Sequence, residues 1–516
     1  MSAKRAILLS LASWGLLALC FPPYLLGPVA LAVLAPWFYV LRMASKKVAL
    51  ISSYLGSFFF HAISMYWLYH VGDVAPQALI YSGLLLGIAY LSLYALLCAW
   101  VFVKIRDRFG EVLLIVIFPL FWAGIETLRA KGDMSFPWLS FGLVFGGSIE
   151  LMQTFALFGV FGCSAIIIAS NMCLVTAFLK KKKKLAFVPL ILAVCFYIGG
   201  YAVMSFEDNV KDEVETLTVA VMQPSIPQTR KWNQEYYDSV MKQTWDLFET
   251  LDPLDVALIL FPETAIPDYI NYRRREYSYL KKYAAENDVA IVIGALNRDR
   301  HKREEKKKPN IYNSAFLFGP DEPKEYRKTR LVPFSEKLPF DNVVPAINYV
   351  DLGGGDFTPG DSLTVWQPGS FSPFICYEAI YGSILRDAKR KGAKFIANLT
   401  NDGWFKRSIA PYQHFNLVRS HAVENGIGVV RSANTGISAF IKPNGRVIER
   451  TELFEQRIIV QDMPLKTRFT PYSVIGDYVE WVLFAFSLFM IVFARLNNKS
   501  PQPKQLGAHE HHVISS

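Results

Sequence analysis

Ser372-Pro373-Phe374-Ile375-Cys376-Tyr377-Glu378 reads as a short apolar strand that delivers a cysteine at its end, with a helical pattern following over 379–391. A nucleophile in an α/β scaffold takes this address, because the amides at the start of the next helix favour a thiolate and an oxyanion. Working outward, eight more strand-like runs surround it: 216–223, 256–263, 289–296, 312–319, 393–400, 428–433, 436–443 and 457–463. Helical patterns fill 234–250, 271–286 and 410–425 besides 379–391. Pro443-Asn444-Gly445-Arg446 reads as a hairpin turn with Asn-Gly supplying positive φ values. So many β runs with so few helices suit a layered sandwich better than a doubly wound sheet. The charge run 298–308, RDRHKREEKKK, is expected to be a solvated loop between two strands.

This mixed α/β region, 207–470, is embedded in a very different chain. Of 516 residues, 52% are hydrophobic and 19% charged, against about 25% charged in ordinary soluble domains. The excess lies in apolar runs at 6–22, 24–41, 48–70, 78–103, 111–128, 155–179, 185–205 and 477–494, each about long enough to cross a bilayer. A soluble enzyme and a disordered chain are thereby excluded. With the N-terminus in the cytoplasm, the cytoplasmic flanks hold Lys4, Arg5, Arg42, Lys46, Lys47, Lys104, Arg106, Arg108, Lys180 to Lys184, Arg495, Lys499 and Lys504. The short loops on the far side hold only Arg129 and Lys131. The positive-inside rule therefore orients the chain, and the net charge of +10 is membrane topology rather than a nucleic-acid surface. The expected organisation is a membrane domain with helices 1–7 over 1–206, an extracytoplasmic domain over 207–470, an eighth span over 471–496 and a cytoplasmic tail over 497–516. An extracytoplasmic domain has no ATP or NADH to draw on, so its reaction must run on the energy of its own substrates.

Five of the six cysteines fall in the apolar runs; Cys376 alone lies in the α/β domain. A lone thiol in an oxidising compartment is a liability unless it is used or buried. Other strand ends carry chemistry too. Phe261-Pro262-Glu263-Thr264 ends one run, and Tyr326-Arg327-Lys328-Thr329-Arg330-Leu331-Val332-Pro333-Phe334-Ser335-Glu336 brings Lys328 and Glu336. Read blandly, Glu263 caps a turn and Lys328 with Glu336 is a surface pair. A rival nucleophile partner exists: His414 and His421, seven apart on one helix face, can in principle pair with Cys376. The histidines lack metal-ligand spacing, and the cluster His509, Glu510, His511, His512 falls in the expected tail, so no metal site is expected.

Taken together, Glu263, Lys328 and Cys376 in that order resemble the Glu-Lys-Cys triad of the nitrilase superfamily, which implies an αββα sandwich. Eight spans with such a domain between the seventh and eighth narrow the resemblance to the apolipoprotein N-acyltransferase family. Gln223-Pro224-Ser225-Ile226-Pro227-Gln228 with Lys231-Trp232, Leu331 to Glu336, Asn398-Leu399-Thr400-Asn401-Asp402-Gly403-Trp404-Phe405 and Arg431-Ser432-Ala433-Asn434-Thr435-Gly436 are similar to that family as well. Ser335 and Lys406 stand where many relatives have glycine.

The resemblance implies an inner-membrane acyltransferase with both termini cytoplasmic and no cofactor. Its acyl donor would be a phospholipid such as phosphatidylethanolamine, its acceptor the α-amine of a diacylated apolipoprotein, and nucleic acid plays no part. Ester to thioester to amide needs no external energy. Cys376 would be the nucleophile, Glu263 the general base and Lys328 the oxyanion stabiliser, with Glu336 and Glu378 supporting. Trp232, Tyr377 and Trp404 would line the substrate site, and the apolar segment 337–352 would act as a lid at the interface. A membrane-tethered amidase shares the triad and differs in its acceptor. A transporter would need ionisable groups deep in the spans, for which His61 near the middle of the third span is the main candidate, while Glu126 and Asp477 sit near span ends.

Overall fold

The computed structural model describes residues 1–24, 26–73, 77–209, 214–253, 255–299, 309–341 and 356–496. Most of the expected lid segment and charged loop, and the whole expected tail with its histidines, lie outside these residues.

Among the described residues five helices are long and apolar enough to cross a membrane: Ile80–Ile105, Glu111–Arg129, Phe155–Leu179, Lys183–Glu207 and Tyr478–Leu496. The other three expected spans are less regular. Ala3–Ala18 has 16 residues. The run 24–41 is not one helix: it breaks into Gly27–Val29, Ala30–Val33 and Ala35–Met43. Pro28 and Pro36 sit at the starts of two of these pieces, where a missing N–H is harmless. Lys46–Ser64 is a continuous helix whose apolar character is diluted by buried Ser52, Ser53, Ser57, His61 and Ser64. Small residues let it lie close to Ala3–Ala18, with Gly56 against the Trp14 ring.

The α/β region is built on two stacked sheets. Its strands are β1 Thr216–Gln223, β2 Leu258–Leu260, β3 Ile266–Tyr269, β4 Ala290–Arg298, β5 Ile311–Phe318, β6 Lys324–Arg327, β7 Phe371–Ile375, β8 Phe395–Thr400, β9 Gly428–Ala433, β10 Ala439–Ile441, β11 Val447–Arg450 and β12 Arg457–Pro464. One sheet runs β12-β1-β2-β4-β5-β6 with β3 on β4, and the other runs β11-β10-β9-β8-β7. Alternation along each strand assigns the layers. Val219 and Val221 face the space between the sheets with Phe371, Phe395, Val430 and Phe440. Ala220 and Met222 face the other way, under helices Tyr237–Phe248 and Arg274–Glu286. Phe374, Ile396 and Val429 face helices Gly382–Arg390 and Ala410–Asn425. The result is an αββα sandwich.

The last of these helix layers is shared with the membrane helices. Phe415, Val418 and Ala422 belong to the same apolar cluster as Trp37, Phe118 and Phe145. Polar bonds register the joint: Trp67 and Trp138 both donate to Gln413 Oε1, at 3.2 and 2.9 Å. Gly159 at φ 65° kinks helix Phe155–Leu179 and frees the Val160 N–H, which donates to Glu424 at 2.8 Å.

The hairpin at 443–446 forms with a different turn. Only Gly445 takes a positive φ, 82°, and not Asn444. Asn444 is otherwise engaged: its carbonyl accepts from Gln153 and its amide donates to Glu207, both on the membrane-helix side. Three strands, β3, β6 and β11, escape the sequence pattern. Each is four residues long, too short for a period to register.

Candidate active site

Four separate strand ends converge on one buried point. Glu263 follows β2 in the tight turn Pro262–Ala265, whose Thr264 has φ 47°. This turn lies directly on β4: a Cβ on Gly294 would stand 2.5 Å from Thr264 N and 2.7 Å from Glu263 Cα. Lys328 follows β6, Cys376 follows β7 and Asp402 follows β8. Chain segments as far apart as 263 and 376 meet because β2 and β7 lie in facing sheets whose inner layer they share.

Lys328 is 1% exposed and its Nζ donates to Glu336 Oε1 at 2.8 Å, with Glu263 Oε1 at 3.6 Å. Asn313 Nδ2 bridges the same two carboxylates at 2.8 and 3.0 Å. Burial works against the Lys328 ammonium, but Glu336, Glu263 and Cys376 outweigh it and hold the lysine charged. Burial raises the Glu263 carboxyl, opposed by Lys328 and assisted by Glu336. A carboxylate raised in this way is a stronger proton acceptor.

Cys376 sits at φ 49°, a left-handed elbow before the single turn Cys376–Ile380. Amides at the start of the following turn favour a thiolate here, and the burial of the site opposes them. Burial pushes the thiol up to about 12; Glu263 and Asp402 add to the rise, and Lys328 only partly offsets it. The resting group is a thiol that needs a base.

Glu378 fastens this elbow to the lysine segment. One oxygen accepts from Tyr326 Oη at 2.6 Å and from Thr329 N and Oγ1 at 2.7 Å; the other accepts from Ile375 N at 2.7 Å. Tyr377 is buried and its hydroxyl donates to the Ser135 carbonyl at 2.8 Å, so it faces the membrane-side loop. Trp232 is 38% exposed and donates to Gln228, while Trp404 is half-buried beside Asn401 and Asp402.

Of the two rival histidines, His414 comes near Cys376 and His421 pairs with Glu424 at 2.6 Å. His414 Nδ1 is bound to Asp402 at 2.8 Å, and what the ring meets at the elbow is the Cys376 main chain rather than its thiol. One ligand atom each of Cys376, Asp402 and His414 lie within 4.8 Å of one another. A cation fits this set poorly, because the Arg431 guanidinium stands 2.8 Å from Asp402 Oδ2 and 3.1 Å from His414 Nδ1. Arg431 and His414 pull the Asp402 carboxyl down to about 2 against its burial, so it is a fixed anion. Asn313, Asp402 and Arg431 have no assigned role in the sequence reading. For Asn313 the available signal is an amide inside the otherwise apolar run 312–319.

This fold and site define a carbon-nitrogen hydrolase type domain joined to membrane helices, and comparison with known proteins agrees. The carbon-nitrogen hydrolase family matches residues 218–469, and the apolipoprotein N-acyltransferase N-terminal domain matches 13–173. The apolipoprotein N-acyltransferase of Haemophilus influenzae is 30% identical over 499 residues, 92% of each chain. That of Geobacter metallireducens is 29% identical over 502 residues, 93% of this chain and 94% of its own. Among solved structures, an amidase from Nesterenkonia sp. AN1 aligns with 51% of this chain and 99% of its own at 18% identity, with a TM-score of 0.36. The chain belongs to the apolipoprotein N-acyltransferase family.

Proposed function

We propose that this acyltransferase moves an acyl chain from the sn-1 position of a membrane phospholipid, with phosphatidylethanolamine the expected donor, to the α-amine of the S-diacylglyceryl-cysteine of apolipoproteins. The observation that carries the residue-level route is the meeting of Glu263, Lys328 and Cys376, the first two linked at 3.6 Å. Glu263 takes the Cys376 proton as the sulfur attacks the ester carbonyl. Lys328 faces the oxyanion as a fixed ammonium. The proton then passes to the leaving lysophospholipid alkoxide, and a thioester remains on Cys376. In the second half the amine attacks the thioester, Glu263 removes its proton, and the thiol is regenerated as the amide forms. Glu336 and Asn313 hold the charges in register, and Glu378 holds the elbow. Trp232, Tyr377 and Trp404 belong to the substrate side of this reading.

The topology proposed with it is eight spans with both termini cytoplasmic, residues 207–470 outside the bacterial inner membrane, and the eighth span over 471–496. The shared helix layer supports a lipid substrate: a tether alone does not need membrane helices packed into the catalytic sandwich. Intact mass spectrometry after incubation with phosphatidylethanolamine tests the reading. Wild type is expected to gain a hydroxylamine-labile acyl mass that a diacylated lipopeptide discharges, and Cys376→Ser to gain none. A wild type that stays unmodified by lipid yet releases ammonia from simple amides would instead establish the amidase.

A further inference from the structure

Beside the triad lies a buried lysine that it leaves unexplained. Lys231 ends the short helix Gln228–Lys231 and is 3% exposed. Its Nζ donates to the main-chain carbonyl of Glu263 at 3.0 Å. That carbonyl lies in the tight turn after β2, where the ladder supplies no donor, so Lys231 completes the turn that aims the base. A neutral amide would satisfy the carbonyl at much lower desolvation cost, so the charge calls for its own reason.

The charge balance of the site supplies one. Lys328 serves two carboxylates at once, Glu263 and Glu336. Two carboxylates against one ammonium leave a buried group short of positive charge, which disfavours ionisation of Glu263. A second ammonium at Lys231 brings the group to neutrality.

We propose that Lys231 is a positioning residue for Glu263, anchoring its main-chain carbonyl and serving as the second counter-ion that keeps its carboxylate ionised. This rests on the reading of Glu263 as the base. The charged and titratable groups facing Glu263 are Lys328 beyond β6, Glu336 in the following loop, Lys231 on its helix and Cys376 at the elbow, with Asn313 of β5 as neutral donor. Burial lowers the Lys231 ammonium to about 7, with Glu263 opposing, so the second counter-ion is itself close to release near neutral pH.

The test is the pH dependence of Cys376 acylation from phosphatidylethanolamine in the full-length protein, comparing wild type with Lys231→Gln, Lys231→Met and Lys231→Arg. Removing the positive charge raises the Glu263 carboxyl, so the acid limb of the rate profile is expected to move up by about one pH unit in Lys231→Gln and Lys231→Met. Lys231→Gln keeps a donor for the carbonyl and is expected to recover more of the high-pH plateau than Lys231→Met. Lys231→Arg keeps the charge and the wild-type limb. Slower rates on an unshifted limb in both neutral variants would overturn the proposal, leaving Lys231 a structural residue. If one variant does not fold, the other two still carry the comparison. Failure of wild type itself to acylate condemns the triad reading instead, so the two failures are distinct.

Discussion

Cys376 carries a thiol that its surroundings make harder to ionise, and the neighbour after burial with most influence is the same carboxylate that we propose takes its proton. One substitution therefore separates the two effects. Glu263→Gln removes a negative charge beside the sulfur, so alkylation of Cys376 by iodoacetamide at fixed pH is expected to speed up. In wild type that alkylation should rise about tenfold per pH unit from neutral toward about 12. Acylation by phospholipid in Glu263→Gln is expected to fall by roughly 10²–10⁴, because the base is gone. Loss of both reactivities together would mean that Glu263 holds the elbow rather than serving as the base. The cysteine at a strand end suggests a nucleophile by its position, and the glutamate and lysine join it through the resemblance of their segments to a known triad. Their ionisation is not legible there. The thiol's high value comes from burial, then from Glu263 after a strand of the facing sheet and Asp402 after the neighbouring strand, and those contacts exist only in the folded chain.

At the scale of elements, the turn after β2 is set by the strand beneath it. Gly294 is in the interior of β4, and the three atoms nearest an added Cβ would all be main chain: Thr264 N at 2.5 Å, Pro262 O at 2.6 Å and Glu263 Cα at 2.7 Å. Main chain cannot rotate away as a side-chain tip can. Gly294→Ala is expected to cost about 1–3 kcal/mol and to slow acylation by about 10²-fold through displacement of Glu263. Intact-mass acylation rates at matched folded fraction check this, and a wild-type rate would show that the turn tolerates displacement. Strands with a clear alternation were legible: β1 and β9 fall on the runs expected for them, and helix Ala410–Asn425 on its pattern. β6 was not, since Lys324-Glu325-Tyr326-Arg327 is an edge strand whose polar residues carry no apolar period. It nevertheless delivers Lys328.

Over the whole molecule, the catalytic sandwich and the membrane helices share a core. Trp138 packs on His414 with ring centroids 5.4 Å apart, meets Trp67 at 5.3 Å and donates to Gln413. Trp138→Ala is expected to destabilise the protein by about 3–5 kcal/mol, visible as a lower thermal unfolding midpoint in detergent. An unchanged midpoint would place the hold between the halves elsewhere. Apolar runs, read along the chain, were enough to tell long apolar helices from an α/β region, because hydropathy is a local property. Glu263, Lys328 and Cys376 are singled out by their resemblance to a family motif, since locally Glu263 reads as a turn cap and Lys328 as half of a surface pair. What only the tertiary structure decided is which groups share charge and which faces share a core. Lys231 reaches Glu263 across 32 residues, Glu378 ties the elbow to Thr329 across 49, and Gln413 meets Trp67 across 346. Such pairings depend on strand order and layer stacking, and local sequence carries no record of them because the burial that enforces them exists only once the sheets have closed.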